Sequence, residues 1–267
     1  MIFSKFDLQS SLDLPHNGFL ERVIPGRTPA FTLWEHAARY RFIRRYVSGR
    51  RVLDAGCGDG YGTYYLSQYA GSAVGIDVSR QALAEAPKRY SSDKAHYLAM
   101  DCRALAFPHG SFDVVCSFEV IEHIAHLDGF LADVNRVLTD GGVFVVSTPN
   151  SARTSGQNPF HVREYTFQEF AHILSPHFSD LQIYGQFCNR PLREYIFNVS
   201  YKLWLRSRSY RRFILSLAPL YFRGVRSADA ARDPDWIEKV GPNSFAFRRN
   251  GAEAAHYLVA VCSKRLP

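Results

Sequence analysis

From residue 35 onward, stretches with helical spacing alternate with short apolar runs, and this alternation is the strongest constraint on the fold. EHAARYRFIRRYVS (35–48) has helical spacing, and RVLDAG (51–56) reads as a buried strand. YGTYYLSQYAG (61–71) reads as a helix closed by Gly71, and SAVGID (72–77) as a strand. SRQALAEAPKRY (79–90) opens on a serine N-cap. AHYLAMD (95–101) and FDVVCSF (112–118) are predicted strands. HLDGFLADVNRVLT (126–139) is a predicted helix, stopped at Gly141-Gly142. GVFVVSTP (142–149) follows as a strand and TFQEFAHILSP (166–176) as a threonine-capped helix. FSDLQIYGQF (178–187) and AHYLVAVCSK (255–264) make the last two strands. Regular β–α alternation predicts an α/β fold with a mostly parallel, doubly wound sheet. Residues 1–34 are predicted to be irregular.

The 267 residues allow one large α/β domain with an elaboration, or two small domains. No apolar run reaches about 18 residues, so no transmembrane helix is expected. MIFSKFDLQSSLDLPHNG lacks a basic start followed by an apolar core, so no signal peptide is expected. Cysteines 57, 102, 116, 188 and 262 are scattered and never spaced CxxC. That pattern fits reduced cytoplasmic thiols better than a disulfide framework or zinc ribbon. The net charge of +7 is uneven. Residues 189–226 hold nine Arg/Lys against one acid, Glu194, so that segment is +8 and the remainder −1.

In VLDAGCGDGYG (52–62), Gly56, Gly58 and Gly60 sit between a strand and a helix. That context supports a ligand held close to the backbone. A dinucleotide fingerprint would place its third glycine one residue later. Asp54, just before the turn, would repel a pyrophosphate and suits a cationic ligand. Asp77 ends the second strand, where its two acceptor oxygens can take both hydroxyls of a ribose. Asp101 ends the third strand, where it can accept from an exocyclic amine while the Cys102 amide donates to a ring nitrogen. Three acids at successive strand ends, beside a glycine turn, form one constellation.

VLDAGCGDGYG, VGIDVS, YLAMDCRALAFPHGSFDVV, FEVIEHI and RVLTDGGVFVVSTPN together resemble the successive motifs of class I S-adenosylmethionine-dependent methyltransferases. The resemblance runs from about 35 to 187 and resumes near 255. It implies a seven-stranded sheet of order 3-2-1-4-5-7-6 with the seventh strand antiparallel. The methyltransferase domain would then be 35–187 with 251–267, and 188–250 a basic, aromatic helical cap inserted between the last two strands. The resemblance makes S-adenosyl-L-methionine the cofactor. Gly56, Gly58 and Gly60 would let the chain pass its methionine moiety, and Asp54 would suit its sulfonium. Asp77 would bind the ribose, Asp101 with Cys102 the adenine, and Phe118 and Glu119 would line the far side.

FEVIEHI puts Glu119, Glu122 and His123 just past the fourth strand, and His161 follows the fifth in NPFHVREYTFQEF. In one reading His123 or Glu122 is a general base and His161 positions the acceptor. In another, Glu119, Glu122, His123 and His161 hold Mg²⁺ or Mn²⁺. The run is similar to that in small-RNA 3′-end 2′-O-methyltransferases and ubiquinone-pathway O-methyltransferases. In a third, Glu122 and His123 merely cap and pack the next helix. EHAARY with GYG and the later NPFHVREYTFQEF also resembles methyltransferases of polysaccharide and glycolipid biosynthesis. Glu35, His36 and Tyr40 would then close over the cofactor or touch the acceptor, though Tyr40 and Phe42 also read as lid-helix core.

Residues 193–226 interleave eight aromatics with the basic charges. Such a segment can cap a substrate, lie on an anionic membrane carrying a lipid-linked acceptor, or stack nucleic-acid bases. Nucleic acid is disfavoured, since no recognised RNA-binding module accompanies it and the remaining surface is not basic. The expected function is O-methylation of a sugar, glycolipid or similar small hydroxyl acceptor, in the cytoplasm or peripherally at the membrane. The alternatives are a metal-assisted RNA 2′-O-methyltransferase and a non-catalytic cofactor-binding partner protein.

Overall fold

A computed structural model describes residues 22–26, 28, 30–154, 158–189, 235–239 and 244–265. The chain divides into two compact units. One comprises Met1–Ala38 with Cys188–Ala246, the other Arg39–Phe187 with Phe247–Pro267. In the first unit, Leu33, Trp236 and Ile237 are fully buried and the Phe31 and Phe245 rings lie 5.6 Å apart. The basic segment falls outside the described residues from 190 to 226, as does most of the expected 188–250 cap. Among the described residues no helix is long and apolar enough to cross a membrane. None of the five cysteines is in a disulfide.

The elements in chain order are α1 (Ala30–Val47), β1 (Arg51–Ala55), α2 (Tyr61–Ser67), β2 (Ser72–Asp77), α3 (Arg80–Arg89), β3 (Ala95–Ala99) and β4 (Phe112–Phe118). There follow a 3₁₀ turn (Ile121–His123), α4 (Leu127–Val137), β5 (Leu138–Pro149), α5 (Phe167–Leu174), β6 (Phe178–Cys188), α6 (Trp236–Lys239), β7 (Phe245–Arg248), a second 3₁₀ turn (Ala252–Ala254) and β8 (Tyr257–Lys264). Helix α1 begins five residues before the segment read as helical. Its apolar residues Phe31, Leu33 and Trp34 are buried, so packing extends the helix.

The sheet has eight strands in the order β3-β2-β1-β4-β5-β8-β6-β7. This is the expected order with one strand added. The predicted last two strands are β6 and β8, and β7 lies at the edge beside β6. The five strands β3-β2-β1-β4-β5 pair in parallel, and β8 runs antiparallel to both β5 and β6. Val52, Leu53 and Ala55 on β1, and Val114, Val115 and Cys116 on β4, are fully buried. Unbroken apolar runs of this kind belong to strands covered on both faces.

Contrary to the expectation from sequence, Gly141-Gly142 does not stop the helix. Helix α4 ends at Val137, and Leu138 already pairs with Phe112. The two glycines sit where the β4–β5 register shifts, with Gly141 at φ +73°. They serve a bulge, which an unpaired residue at positive φ permits. The N-caps are as read: Ser79 accepts from Ala82 N, and Thr166 forms a reciprocal capping box with Glu169. Strand order reverses between β1 and β4. In open α/β sheets that reversal opens a crevice at the carboxyl ends of the strands.

Candidate active site

Asp54, Asp77, Asp101, Glu119 and Glu122 all lie at that carboxyl edge. The glycine turn is anchored first. Gly56 N and Cys57 N both donate to Ile76 O, each at 2.9 Å, and Gly60 N donates to Cys57 O at 3.0 Å. Gly56 stands at φ +84°, and a Cβ there would lie 2.3 Å from a Val120 methyl. Gly60, at φ +86°, is the N-cap of α2, and a Cβ there would meet the Tyr97 ring at 2.7 Å. Both positions therefore demand glycine, for backbone conformation and for space.

Asp77 ties this turn to the end of β2. Its Oδ2 accepts from Gly58 N at 2.9 Å and its Oδ1 from Ser79 N at 2.8 Å. Each oxygen keeps a further lone pair. Two backbone amides thus hold a carboxylate with its remaining acceptor capacity preset. Asp101 is more exposed. Arg103 grips it through Nε and Nη2 at 3.0 and 2.6 Å and holds its carboxyl below the usual range. Cys102 beside it is buried.

Asp54 turns inward. Its carboxylate accepts from Thr63 Oγ1 at 2.7 Å, from the Tyr40 hydroxyl at 3.2 and 3.3 Å, and from Cys116 Sγ at 3.5 Å. Any effect of Asp54 on a cation in the turn is exerted through the field of a buried charge. Burial pushes its carboxyl from the ordinary 3.8 up to about 6, against the hydrogen bonds that favour ionisation. A carboxyl raised by folding contributes stability that is complete below its unfolded pKa and lost as pH climbs through the folded one. Relative to Asp54→Asn, the wild-type unfolding free energy is expected to fall by about 2 kcal/mol from about pH 4 to about pH 7. Urea titrations at several pH values check this, and parallel profiles would refute it.

Tyr40 is core, as one reading had it, but its hydroxyl is committed to Asp54. Its ring packs edge-on against Phe118 at 5.1 Å and Tyr61 at 5.8 Å. Phe118 is buried in that contact. Glu119 follows at φ +57°, a left-handed conformation that costs a non-glycine residue of order 1–3 kcal/mol. Strain of this kind persists where surrounding contacts hold it. Ser147 Oγ donates to Glu119 Oε1 at 2.7 Å, and Glu119 N donates back to Ser147 Oγ at 3.2 Å.

Glu122, His123 and His161 converge, with one ligand-capable atom from each within 4.8 Å of the others. Glu119 is not in this group, so of the four expected ligands three come together. The His123 and His161 rings meet edge-on at 5.0 Å. The Glu122 carbonyl receives Val162 N and Arg163 N at 2.8 and 3.1 Å, which seats the 158–165 loop on the 3₁₀ turn. Its carboxyl is fully buried: Thr148 Oγ1 donates to Oε2 at 3.2 Å, while Oε1 has no hydrogen-bond partner among the described residues. Burial first, and the Glu119 charge second, drive this carboxyl well above the usual range.

The hydrogen bonds assign both imidazole tautomers. His123 Nδ1 lies 2.8 Å from the Phe160 carbonyl oxygen, which can only accept. The proton is therefore on Nδ1 and the lone pair on Nε2. Phe160 N donates to Asn158 Oδ1 at 3.1 Å, which turns the Asn158 NH₂ toward His161 Nε2 at 2.8 Å. His161 Nε2 accepts, and its Nδ1–H goes to Glu164 Oε1 at 2.7 Å. The Thr154 hydroxyl holds the other Glu164 oxygen. Asn158, Glu164, Thr148 and Ser147 escaped the sequence reading. Asn158 and Glu164 flank His161 in NPFHVRE, the one local signal that pointed to them.

Arg39 was also missed. It is 1% exposed, donates through Nε to Gln186 Oε1 at 2.8 Å, and lies over the Tyr257 ring at 4.4 Å. Its Nη1 is 3.6 Å from Glu119 Oε1, and its Nη2 has no partner among the described residues.

Residues 53–146 match the family described as a methyltransferase domain. A Mycolicibacterium smegmatis protein named a probable S-adenosylmethionine-dependent methyltransferase is 37% identical over 168 residues, 60% of this chain and 63% of that protein. A ubiquinone biosynthesis O-methyltransferase of Sinorhizobium medicae is 33% identical over 118 residues, 43% of this chain and 48% of that one. The chain thus spans less than two thirds of the length of these curated relatives. Among solved structures, the YcgJ protein of Bacillus subtilis superposes with a TM-score of 0.55 at 18% identity, over 87% of this chain and all of that one. At that identity the likeness concerns the fold alone.

Proposed function

We propose, from the match of residues 53–146 to a methyltransferase domain, that the protein is an S-adenosylmethionine-dependent methyltransferase acting on a hydroxyl of a sugar, glycolipid or other small acceptor. The observation that carries the oxygen acceptor is His123, whose Nδ1–H is fixed by the Phe160 carbonyl and whose Nε2 lone pair stands beside Glu122 and His161. Bound S-adenosylmethionine supplies an electrophilic methyl on a sulfonium. The partly free Asp77 oxygens suit two ribose hydroxyls, and the bare backbone of the glycine turn suits a ligand lying against it. Asp101 and Cys102, at the end of β3, would take the adenine. On the acceptor side, His123 Nε2 takes the hydroxyl proton as the oxygen attacks. Glu122, driven toward its neutral acid form, suits hydrogen-bond donation rather than a second base. His161 is held in place between Asn158 and Glu164, and its ring buttresses His123.

The unpartnered Glu122 Oε1 favours a second reading, in which Glu122, His123 and His161 hold a divalent ion. Two imidazoles and one carboxylate suit Mn²⁺ better than Mg²⁺, which prefers oxygen donors. His161 Nε2 would have to exchange its Asn158 hydrogen bond for such an ion. The ion would polarise the acceptor oxygen there.

The test is incubation of cell extracts with methyl-labelled cofactor, with and without EDTA, followed by solvent partition and mass spectrometry. Label on an O-methyl ether is expected. Recovery in the organic phase identifies a lipid-linked acceptor, for which the +8 charge of residues 189–226 would suit an anionic membrane. Recovery in the aqueous phase identifies a free sugar or similar small molecule. Unchanged transfer in EDTA removes the metal reading, and label on RNA or no transfer to any fraction overturns the proposal.

A further inference from the structure

Asp101 and Asp77 differ in how much acceptor capacity they keep. A carboxylate offers about four lone-pair sites, two on each oxygen. Asp77 spends one site on each oxygen, on two backbone amides. At Asp101 Arg103 takes all four. Oδ1 accepts from the Arg103 backbone N at 2.9 Å and from its Nε at 3.0 Å, while Oδ2 accepts from Nε at 3.0 Å and from Nη2 at 2.6 Å. An exocyclic amine arriving here meets a carboxylate with no site left. The obstacle is a movable one, however. The Arg103 side chain is 69% exposed and supplies three of the four bonds. Turned into water, it regains hydration at each N–H, and Oδ1 keeps the backbone amide. An ion pair this exposed is worth little, so displacing it costs little.

Resting on the methyltransferase reading, in which Asp101 takes the adenine, we propose that Arg103 is an internal competitor for the base. Its guanidinium holds Asp101 until the exocyclic amine replaces it. Two consequences follow from the chemistry. Salt screens an exposed ion pair, so added salt weakens the competitor and strengthens cofactor binding. The competition also concerns one group of the ligand alone. A purine with hydrogen in place of the amine has no donor for Asp101 at that position, so it leaves the Arg103 pair intact and is indifferent to it.

The test compares two ligands by calorimetry on the full chain, S-adenosylhomocysteine and its analogue with hydrogen in place of the adenine amine. Titrations run at about 20 mM and about 500 mM salt, on either side of strong screening. Wild-type protein is expected to bind S-adenosylhomocysteine about twofold more tightly at the higher salt. Arg103→Ala is expected to bind it about three- to fivefold more tightly at low salt, the upper worth of an exposed ion pair, and to lose the salt effect. The deamino analogue should stay within about twofold throughout. Arg103→Lys keeps the charge and loses the fork. It is expected to show a smaller gain, and serves if Arg103→Ala does not fold. Unchanged or weaker binding of S-adenosylhomocysteine in a folded Arg103→Ala variant would overturn the competition. A gain of equal size for both ligands would overturn it too, since it would then owe nothing to the amine. Wild-type protein that binds neither ligand would defeat the methyltransferase reading itself, a separable result.

Discussion

Asp77→Ala is expected to lower S-adenosylhomocysteine affinity by at least about a hundredfold. A hydrogen bond to a charged group is worth about 1.5–3 kcal/mol, and the Asp77 carboxylate has capacity for two ribose hydroxyls, so about 3–6 kcal/mol is at stake. The same substitution leaves Gly58 N and Ser79 N without acceptors. Part of the loss will therefore come from a loosened glycine turn. Asp77→Asn separates the two effects, because its amide keeps one acceptor oxygen and loses the other. It is expected to bind more weakly than wild type and more tightly than Asp77→Ala. Calorimetry checks this, with circular dichroism to verify folding. Wild-type affinity in a folded Asp77→Ala variant would remove Asp77 from the site.

His123→Ala is expected to slow turnover by about 10²–10⁴-fold, the usual worth of a positioned general base. Cofactor affinity should be unchanged, because the glycine turn and Asp77 lie on other elements. His123→Asn is the sharper variant. Its side-chain NH₂ can reproduce the donation to Phe160 O that seats the acceptor-side loop, while the Nε2 lone pair is gone. Equal losses in the two variants would assign the effect to the base. Recovery in His123→Asn would assign it to loop placement. Turnover within about twofold of wild type in both would leave His123 a packing residue, since a true base contributes far more.

The grouping of the acids and glycines proposed to hold the cofactor was legible in the sequence because it is written locally. Asp54 and Asp77 lie at the ends of their own strands, Asp101 lies two residues past its own, and the glycines lie within one turn. In a parallel sheet those strand ends must share an edge, so order along the chain translates into a shared place. The acceptor half was legible only as a set of candidates. Glu119, Glu122 and His123 lie within five residues, yet the left-handed backbone at Glu119 sends its carboxylate to Ser147 and leaves it out of the cluster that Glu122 forms with the histidines. Helical spacing would have kept the two glutamates together; a strained φ at one residue separated them.

By itself the sequence determined the α/β class, the caps at Ser79 and Thr166, and the line of acids along one edge, while the strand order of the parallel half came from the family resemblance. The first three follow from periodicity and short-range hydrogen bonding, which act over a few residues. Tertiary structure alone decided the rest. It set Arg39 against Gln186, 147 positions away, turned Asp54 inward to Tyr40 and Thr63, and converted Gly141-Gly142 from a helix stop into a bulge. It also assigned the protons on His123 and His161, through a carbonyl and an amide 37 and 3 residues distant. Apart from the bulge, the physical reason is common to them. A buried polar group must find a partner wherever packing brings one, and no spacing rule records which distant residue that will be.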